Sequence, residues 1–195
     1  MNRLVILLIF MALPILGKGQ ITIFSKQISL GPRVNSPYYE SNVVVSPDGK
    51  KVFFTRSNHP RNIGGEEDEG DVWASEMTSS GEWTDAVNLG SPLNDASMNR
   101  IIGFMDNGKA MLLHSKKGVA FAYNYNGKWL EPTEIEVPYF KYKSEHISGC
   151  ISSDGRYLIF GMESYGTYGV EDLYMCKLKG DGSWTSPKNM GSQIN

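Results

Sequence analysis

The chain has 195 residues, 41% of them hydrophobic and 11% aromatic, with 21 glycines and a formal net charge of −2. That length supports one ordinary domain, and the near-balanced charge excludes the strongly basic surface that nucleic acid requires. Abundant glycine and frequent aromatics suit many short strands joined by tight turns.

The chain opens on Arg3 and an apolar run from Leu4 to Leu16, broken only by Pro14. The run is too short to span a bilayer as a stable helix and fits the apolar core of a secretory signal. Gly17 and Gly19 flank Lys18, which places cleavage after Gly19 and leaves Gln20 first. The alternative is an uncleaved anchor. Losing Arg3 and Lys18 takes the formal charge from −2 to −4. No cysteine follows the run, so lipid attachment of the bacterial lipoprotein kind is not expected. No later apolar stretch is long enough to cross a membrane, so the mature chain from residue 20 is expected to be exported without membrane insertion.

The first element of the mature chain is a strand over Ile21 to Leu30, followed by Gly31. Beyond it, three turn signals recur: Ser46-Pro47-Asp48-Gly49-Lys50, Asp106-Asn107-Gly108-Lys109 and Ser153-Asp154-Gly155-Arg156. Each lies between two short apolar runs, such as Val43-Val44-Val45 and Val52-Phe53-Phe54. Asp-Gly and Asn-Gly accept positive φ cheaply, so each reads as a hairpin. A third strand comes after each hairpin, at Asp71–Ser75, Val119–Tyr123 and Asp172–Cys176. A Gly-x-Trp step then leads into a fourth, with Trp83, Trp129 and Trp184 spaced 46 and 55 residues apart. Each unit thus supplies four strands, A to D, at a period near that of propeller blades. The units span roughly residues 40–94, 95–138 and 142–195.

One such sheet cannot bury both of its faces. Stacking sheets around an axis buries them and leaves only short edges. The tryptophan of each unit is expected to pack between neighbouring sheets.

The pattern Ser-x-Asp-Gly, Asp-φ-Tyr/Trp, Gly-x-Trp and Asn-Leu-Gly resembles the WD-like β-propeller repeats of the TolB-type family. It is most similar to the propeller region of exported OmpA-family envelope proteins of Gram-negative bacteria. The resemblance covers residues 21 to 195. The middle unit departs from it, with Asn107-Gly108 for Asp-Gly, no Asp before its C strand, and Ile135-Glu136 where Leu-Gly is expected. The resemblance implies an all-β propeller and a place in the periplasm or at the outer membrane. It also implies envelope proteins or glycans as partners, with peptidoglycan reached through an OmpA-like domain downstream. Function itself varies widely among propellers.

Leu30-Gly31 aligns with Leu89-Gly90 and Met190-Gly191, and Phe24 stands where Trp83 and Trp184 do. Residues 21–30 therefore read as a D strand without A, B and C strands of its own. Three four-stranded antiparallel blades and one orphan strand fall short of the roughly four to eight blades of closed propellers. The expectation is a fragment of a larger ring of about six blades. The competing idea is two chains sharing a ring.

No nucleophile elbow, phosphate loop or zinc-protease motif is present, so no catalytic residue and no cofactor are expected. The alternative enzyme class is a sialidase-like glycoside hydrolase, whose Ser-x-Asp-x-Gly-x-x-Trp box fails in all three units. Two metal readings are open. Glu66, Glu67 and Asp68, in the loop Gly64–Asp71, could gather around calcium. His59, His114 and His146 fall on one propeller face, one per unit, and three imidazoles can hold zinc. The plainer expectation is solvated carboxylates and unrelated surface histidines, with Asp71 and Asp172 capping turns. The same face, formed by the D–A and B–C loops, is the candidate interaction surface. It carries Arg33, Asn35, Tyr38, Tyr39, Glu40, Arg61, Lys116, Lys117, Tyr165 and Tyr168, and mixed charge with tyrosine suits a protein or glycan.

Export permits a disulfide, but Cys150 falls on an A strand and Cys176 on the C strand of the same unit. Strand B between them keeps their backbones roughly 9 to 10 Å apart, beyond the about 7 Å that a bridge tolerates. Both are expected to stay thiols.

Overall fold

A computed structural model describes residues 27–105, 109–114, 118–143 and 147–195, with the backbone alone at 111–114. The signal segment 1–19 and residues 20–26 lie outside the described residues. Among the described residues the only helical element is the 3-10 turn Gly65–Glu67.

The described strands form three four-stranded antiparallel sheets and one small hairpin. The first sheet runs β1 (Tyr39–Val45), β2 (Lys51–Ser57), β3 (Asp71–Glu76) and β4 (Val87–Asn88) in simple order. The second holds β5 (Asn99–Phe104), β6 (Ala110–His114), β7 (Gly118–Ala122) and β10 (Thr133–Ile135). Its hairpin β8 (Asn124–Tyr125) and β9 (Lys128–Trp129) projects between β7 and β10. The third repeats the first, with β11 (Ser148–Ile151), β12 (Tyr157–Met162), β13 (Asp172–Lys177) and β14 (Lys188–Asn189). The inner strands β1, β5 and β11 lie side by side, so the sheets radiate from a common axis as propeller blades.

The expected A–B turns form through one device used twice. In the first sheet Gly49 takes φ +71°, which a glycine adopts without strain. The Ser46 hydroxyl donates to Asp48 Oδ1 at 2.5 Å and accepts the Lys51 N–H at 2.9 Å. In the third sheet the Ser152 hydroxyl does the same with Asp154 at 2.6 Å and Tyr157 at 2.9 Å. The serine of this turn is thus Ser152 rather than its neighbour Ser153.

Each D strand carries the same irregularity. From Met77↔Trp83 to Ala74↔Val87, three residues on strand C oppose four on strand D. The same count holds from Leu178↔Trp184 to Met175↔Lys188, and from Asn124↔Trp129 to Phe121↔Thr133. This is a β-bulge just past the tryptophan. A threonine fills it in two sheets, where Thr84 and Thr185 hydroxyls accept the N–H of Glu76 and Lys177.

Side-chain alternation sends successive strand residues to opposite seams. Phe53, Val72 and Ala74 face the second sheet, while Val52, Phe54 and Trp73 face away from it and gather Val34, Ala86 and Trp83. Ile101, Ala110, Ala120 and Ala122 meet the first sheet. Ile102 and Val119 meet the third, which answers with Leu158, Phe160, Met162, Tyr174, Cys176 and Trp184. Trp129 and Trp184 therefore pack between sheets as expected, whereas Trp83 packs on the face of the first sheet that points away from the second, against Val34, Val52, Phe54, Trp73 and Ala86.

One expectation needs correction. Residues 27–30 form no strand. The segment is instead tied down past its end, where Ala86 N–H donates to Arg33 O at 2.9 Å and Val34 enters the core of the first sheet. The cysteines are separated more firmly than strand spacing alone requires. Cys150 pairs with Ile159 and Cys176 with Leu158, consecutive residues of β12, so their side chains leave opposite faces of the sheet. Both cysteines are free, and burial pushes the Cys176 thiol up to about 12.

Candidate functional site

In the first and third sheets a polar clamp ties strand C to strand D and the following linker, its first and last members 23 residues apart in sequence. In the first sheet Asn88 Nδ2 donates to Asp71 Oδ2 at 2.7 Å, and Asn94 Nδ2 donates to Asn88 Oδ1 at 2.9 Å. The Asn94 side chain then pairs with the backbone of Val72, accepting its N–H at 2.8 Å and donating to its carbonyl at 3.0 Å. Asp172, Asn189, Asn195 and Leu173 repeat every one of these bonds. The turn-capping role expected of Asp71 and Asp172 is therefore one part of a three-residue clamp that holds the D strand and the following linker. Asn35 belongs to the same family of linker asparagines, since Ser29 Oγ donates to its Oδ1 at 3.0 Å and also accepts the Gly31 N–H at 3.1 Å. The sequence showed the recurring Asn and Asp but not that they bond to one another.

The clamps differ in electrostatics. Asp71 is fully buried, and its Oδ1 has no hydrogen-bond partner. Burial raises its pKa above the ordinary aspartate value, against the bonds from Asn88 and Ile63 that lower it. At Asp172 burial also raises, but bonds from Tyr168, Asn189 and Gly169 outweigh it and the net shift is downward.

On the face of the D–A and B–C loops, the first sheet builds a compact aromatic and cationic cluster. The Arg56 guanidinium is buried and sits 4.4 Å from the centre of the Trp73 ring. It donates to Glu40 Oε1 at 3.0 Å and to Val34 O at 2.7 Å. His59 stands edge-on between Tyr38 and Trp73, both at 4.6 Å, and its Nδ1 accepts the Arg61 N–H at 3.0 Å. Burial lowers its pKa, and the neighbouring Arg56 and Arg61 lower it further. The shift favours the neutral imidazole, whose ring packs between Tyr38 and Trp73. Arg61 covers the Trp73 ring at 5.0 Å while staying exposed.

The other candidates divide. Tyr38 and Arg61 stand in this cluster. Glu40 is here too, but it is committed to Arg56 and to the Ser36 hydroxyl, so it positions the cluster and offers little to a partner. Arg33 is not on this patch: it reaches the outer strand, donating to Trp83 O at 3.3 Å near Glu82 and Asp85. Tyr39 is 81% exposed and lines a cleft of about 480 Å³ between the inner strands, together with Asn58, Glu69, Arg100 and Glu171. Arg100 is held there by the Ile147 carbonyl. Sequence reading missed Arg100, Glu69 and Glu171, because nothing local marks a residue as lying near the axis. Tyr165 and Tyr168 are exposed on the third sheet, with Lys143 over the Tyr165 ring. Lys116, Lys117 and His146 lie outside the described residues, as does the side chain of His114.

The carboxylate loop does not converge. Asp68 is buried and caps its own turn, accepting the N–H of Gly64 at 2.9 Å and of Gly70 at 2.8 Å, while Glu66 and Glu67 face water. Among the described residues no three His, Cys, Asp or Glu side chains come close enough together to hold an ion. No helix among them is long and apolar enough to cross a membrane.

Three radiating four-stranded sheets, two of them carrying the same clamp, define the chain as a β-propeller protein. No family model matches the sequence, and no curated protein matches it. Among solved structures it is similar to TolB from Acinetobacter baumannii, at 14% identity over 80% of this chain and 33% of that one, with a TM-score of 0.46. It is similar also to the periplasmic gluconolactonase PpgL of Pseudomonas aeruginosa, at 16% identity over 83% of this chain and 47% of that one, with a TM-score of 0.48. A puromycin hydrolase aligns at 14% identity over 73% of this chain and 21% of that one, with a TM-score of 0.41. The aligned part spans less than half of each of those chains.

Proposed function

We propose that this chain is an exported, non-catalytic propeller module that binds a protein or glycan of the cell envelope through its D–A and B–C loops. It is read as the propeller part of an OmpA-like envelope protein, on the strength of the repeat motifs and the N-terminal signal pattern. The observation that carries the binding role is the Trp73 cluster. A buried arginine, a neutral histidine and two bonded loops hold Tyr38 and Arg61 in fixed positions, with Tyr39 and the Arg100 cleft beside them. A pre-ordered aromatic and arginine patch is what binding hot spots are made of, and its groups are arranged for contact rather than for proton transfer.

The test uses the full chain with Tyr39→Ala and Arg61→Ala changed together. Saturable binding to purified peptidoglycan sacculi or to detergent-solubilised outer-membrane proteins should fall about tenfold or more, with thermal stability little changed. Turnover of glycoside, lactone or peptide substrates that one point mutation of this chain abolishes would defeat the reading.

A further inference from the structure

We propose that the seam between the first two sheets is a saccharide-binding cleft in which the Trp129 indole is the stacking surface. The proposal deepens the binding-module reading and rests on it.

The seam is packed with small side chains, of which Ala74 borders the cleft. The second sheet presents Ala110, Ala120 and Ala122, and the first answers with Ala74 beside Phe53. A void of about 950 Å³ remains toward the outer strands, the size of a small-molecule site. Phe53, Ala74, Phe104 and Trp129 form its apolar floor. The Phe53 ring lies 5.1 Å from Phe104 and 6.2 Å from Trp129. At the same repeat position Trp184 is only 6% exposed, whereas Trp129 is half-buried and borders the void. The projecting hairpin β8–β9 carries Trp129 to this place.

The rim supplies hydrogen-bonding groups of mixed kind. Asp48, Asn124 and Ser91 border the floor. Lys51 and Glu76, also on the rim, neutralise each other at 2.5 Å. Asp48, Asp85 and Lys128 leave little net charge, so a phosphate-bearing ligand finds no cationic cradle. An extended peptide finds only a two-residue edge at β4, next to the bulge that breaks the ladder. A neutral saccharide meets both parts. Its C–H face lies on the indole, where the ring quadrupole attracts polarised hydrogens. Its hydroxyls then bond to the carboxylate and amide rim.

Titration calorimetry of the full chain with N-acetylglucosamine tetramer, cellotetraose, maltotetraose and mannotetraose tests this. At least one should bind. Trp129→Ala should weaken it about tenfold or more, Trp129→Phe less, and Tyr139→Ala, far from the cleft, not at all. Should Trp129→Ala fail to fold, Asp48→Asn and Asn124→Ala must each weaken binding several-fold. Binding by none of the four up to about 10 mM, or binding indifferent to these changes, overturns the proposal. Cleavage of a bound tetramer would instead sink the non-catalytic reading while leaving the cleft intact. Loss of envelope binding in the loop-face double variant, with tetramer binding retained, would separate the two sites.

Discussion

The two seams of this molecule are built on one plan and filled differently. Between the second and third sheets stand Leu158, Phe160, Met162, Tyr174 and Trp184, all nearly inaccessible. Between the first and second stand Phe53, Val72 and Leu93 with four alanines. Strand alternation delivers residues to both seams with the same period, so the difference lies in side-chain volume alone. Large side chains close one seam. Smaller side chains fill the other, and at its outer end a tryptophan is left partly bare. Packing differences between repeats of one fold thus separate a seam that holds the arc together from one with room for a ligand.

The largest effect should come from breaking the closed seam. Phe160→Ala removes a ring that is fully buried and 4.7 Å from Phe140. It should cost about 3–5 kcal/mol in urea unfolding. Trp129→Ala in the open seam removes a half-buried ring and should cost about 1–2 kcal/mol, because less of it leaves water on folding. Equal losses at the two sites would contradict the contrast.

Next is Gly103, which lies where the inner strands of the second and third sheets touch. Its φ is +146°, and a Cβ there would stand 2.7 Å from Ile151 Cγ2. Gly103→Ala should destabilise by about 1–3 kcal/mol. Gly127, at φ +82° with open space around it, should cost less on the same change.

The two clamps predict opposite responses to pH. Asp71 has its folded pKa raised above the ordinary 3.8, chiefly by burial. Its contribution to stability is fully present below that value and is lost as pH rises through the folded pKa. Asp172 has a lowered folded pKa despite burial, because of bonds from Tyr168, Asn189 and Gly169. Its contribution is present above 3.8 and is lost as pH falls through the folded pKa. At pH 7 Asp172→Asn should therefore lower the urea midpoint more than Asp71→Asn, and the difference should shrink toward pH 3. An Asp71→Asn chain that is the weaker of the two at pH 7 would reverse the assignment.

The smallest effect concerns the thiols. Cys150 is exposed and Cys176 buried, so a thiol reagent should label Cys150 in the native chain and Cys176 only after unfolding. A bridged 150–176 peptide in the unreduced protein would contradict the β12 register.

Much of this was legible beforehand for physical reasons. Asp48-Gly49 and Asp154-Gly155 mark hairpins because their side chains and φ preferences build the turn locally, and the structure shows those turns. Trp83, Trp129 and Trp184 mark the period because each unit packs a large residue just before its D-strand bulge, Trp129 and Trp184 between sheets and Trp83 on the outer face of the first. Residues 27–30 misled, since an apolar pattern makes a strand only where a neighbour completes the ladder. The loop face was read as one surface, yet Arg33 swings to the outer strand and Glu40 is spent on Arg56. Those outcomes depend on long-range partners such as Trp83 and Val34, which no local pattern names. The open seam was hidden for the same reason: Ala74 and Ala120 are unremarkable until they face each other.

A nuclear Overhauser spectrum of the full chain tests the contrast between the seams most directly. Cross-peaks are expected from the Trp129 ring to Phe53, together with fast solvent exchange of the Trp129 indole N–H and slow exchange of the Trp184 indole N–H. Contacts from Trp129 confined to its own sheet, or equal protection of both indoles, would contradict it.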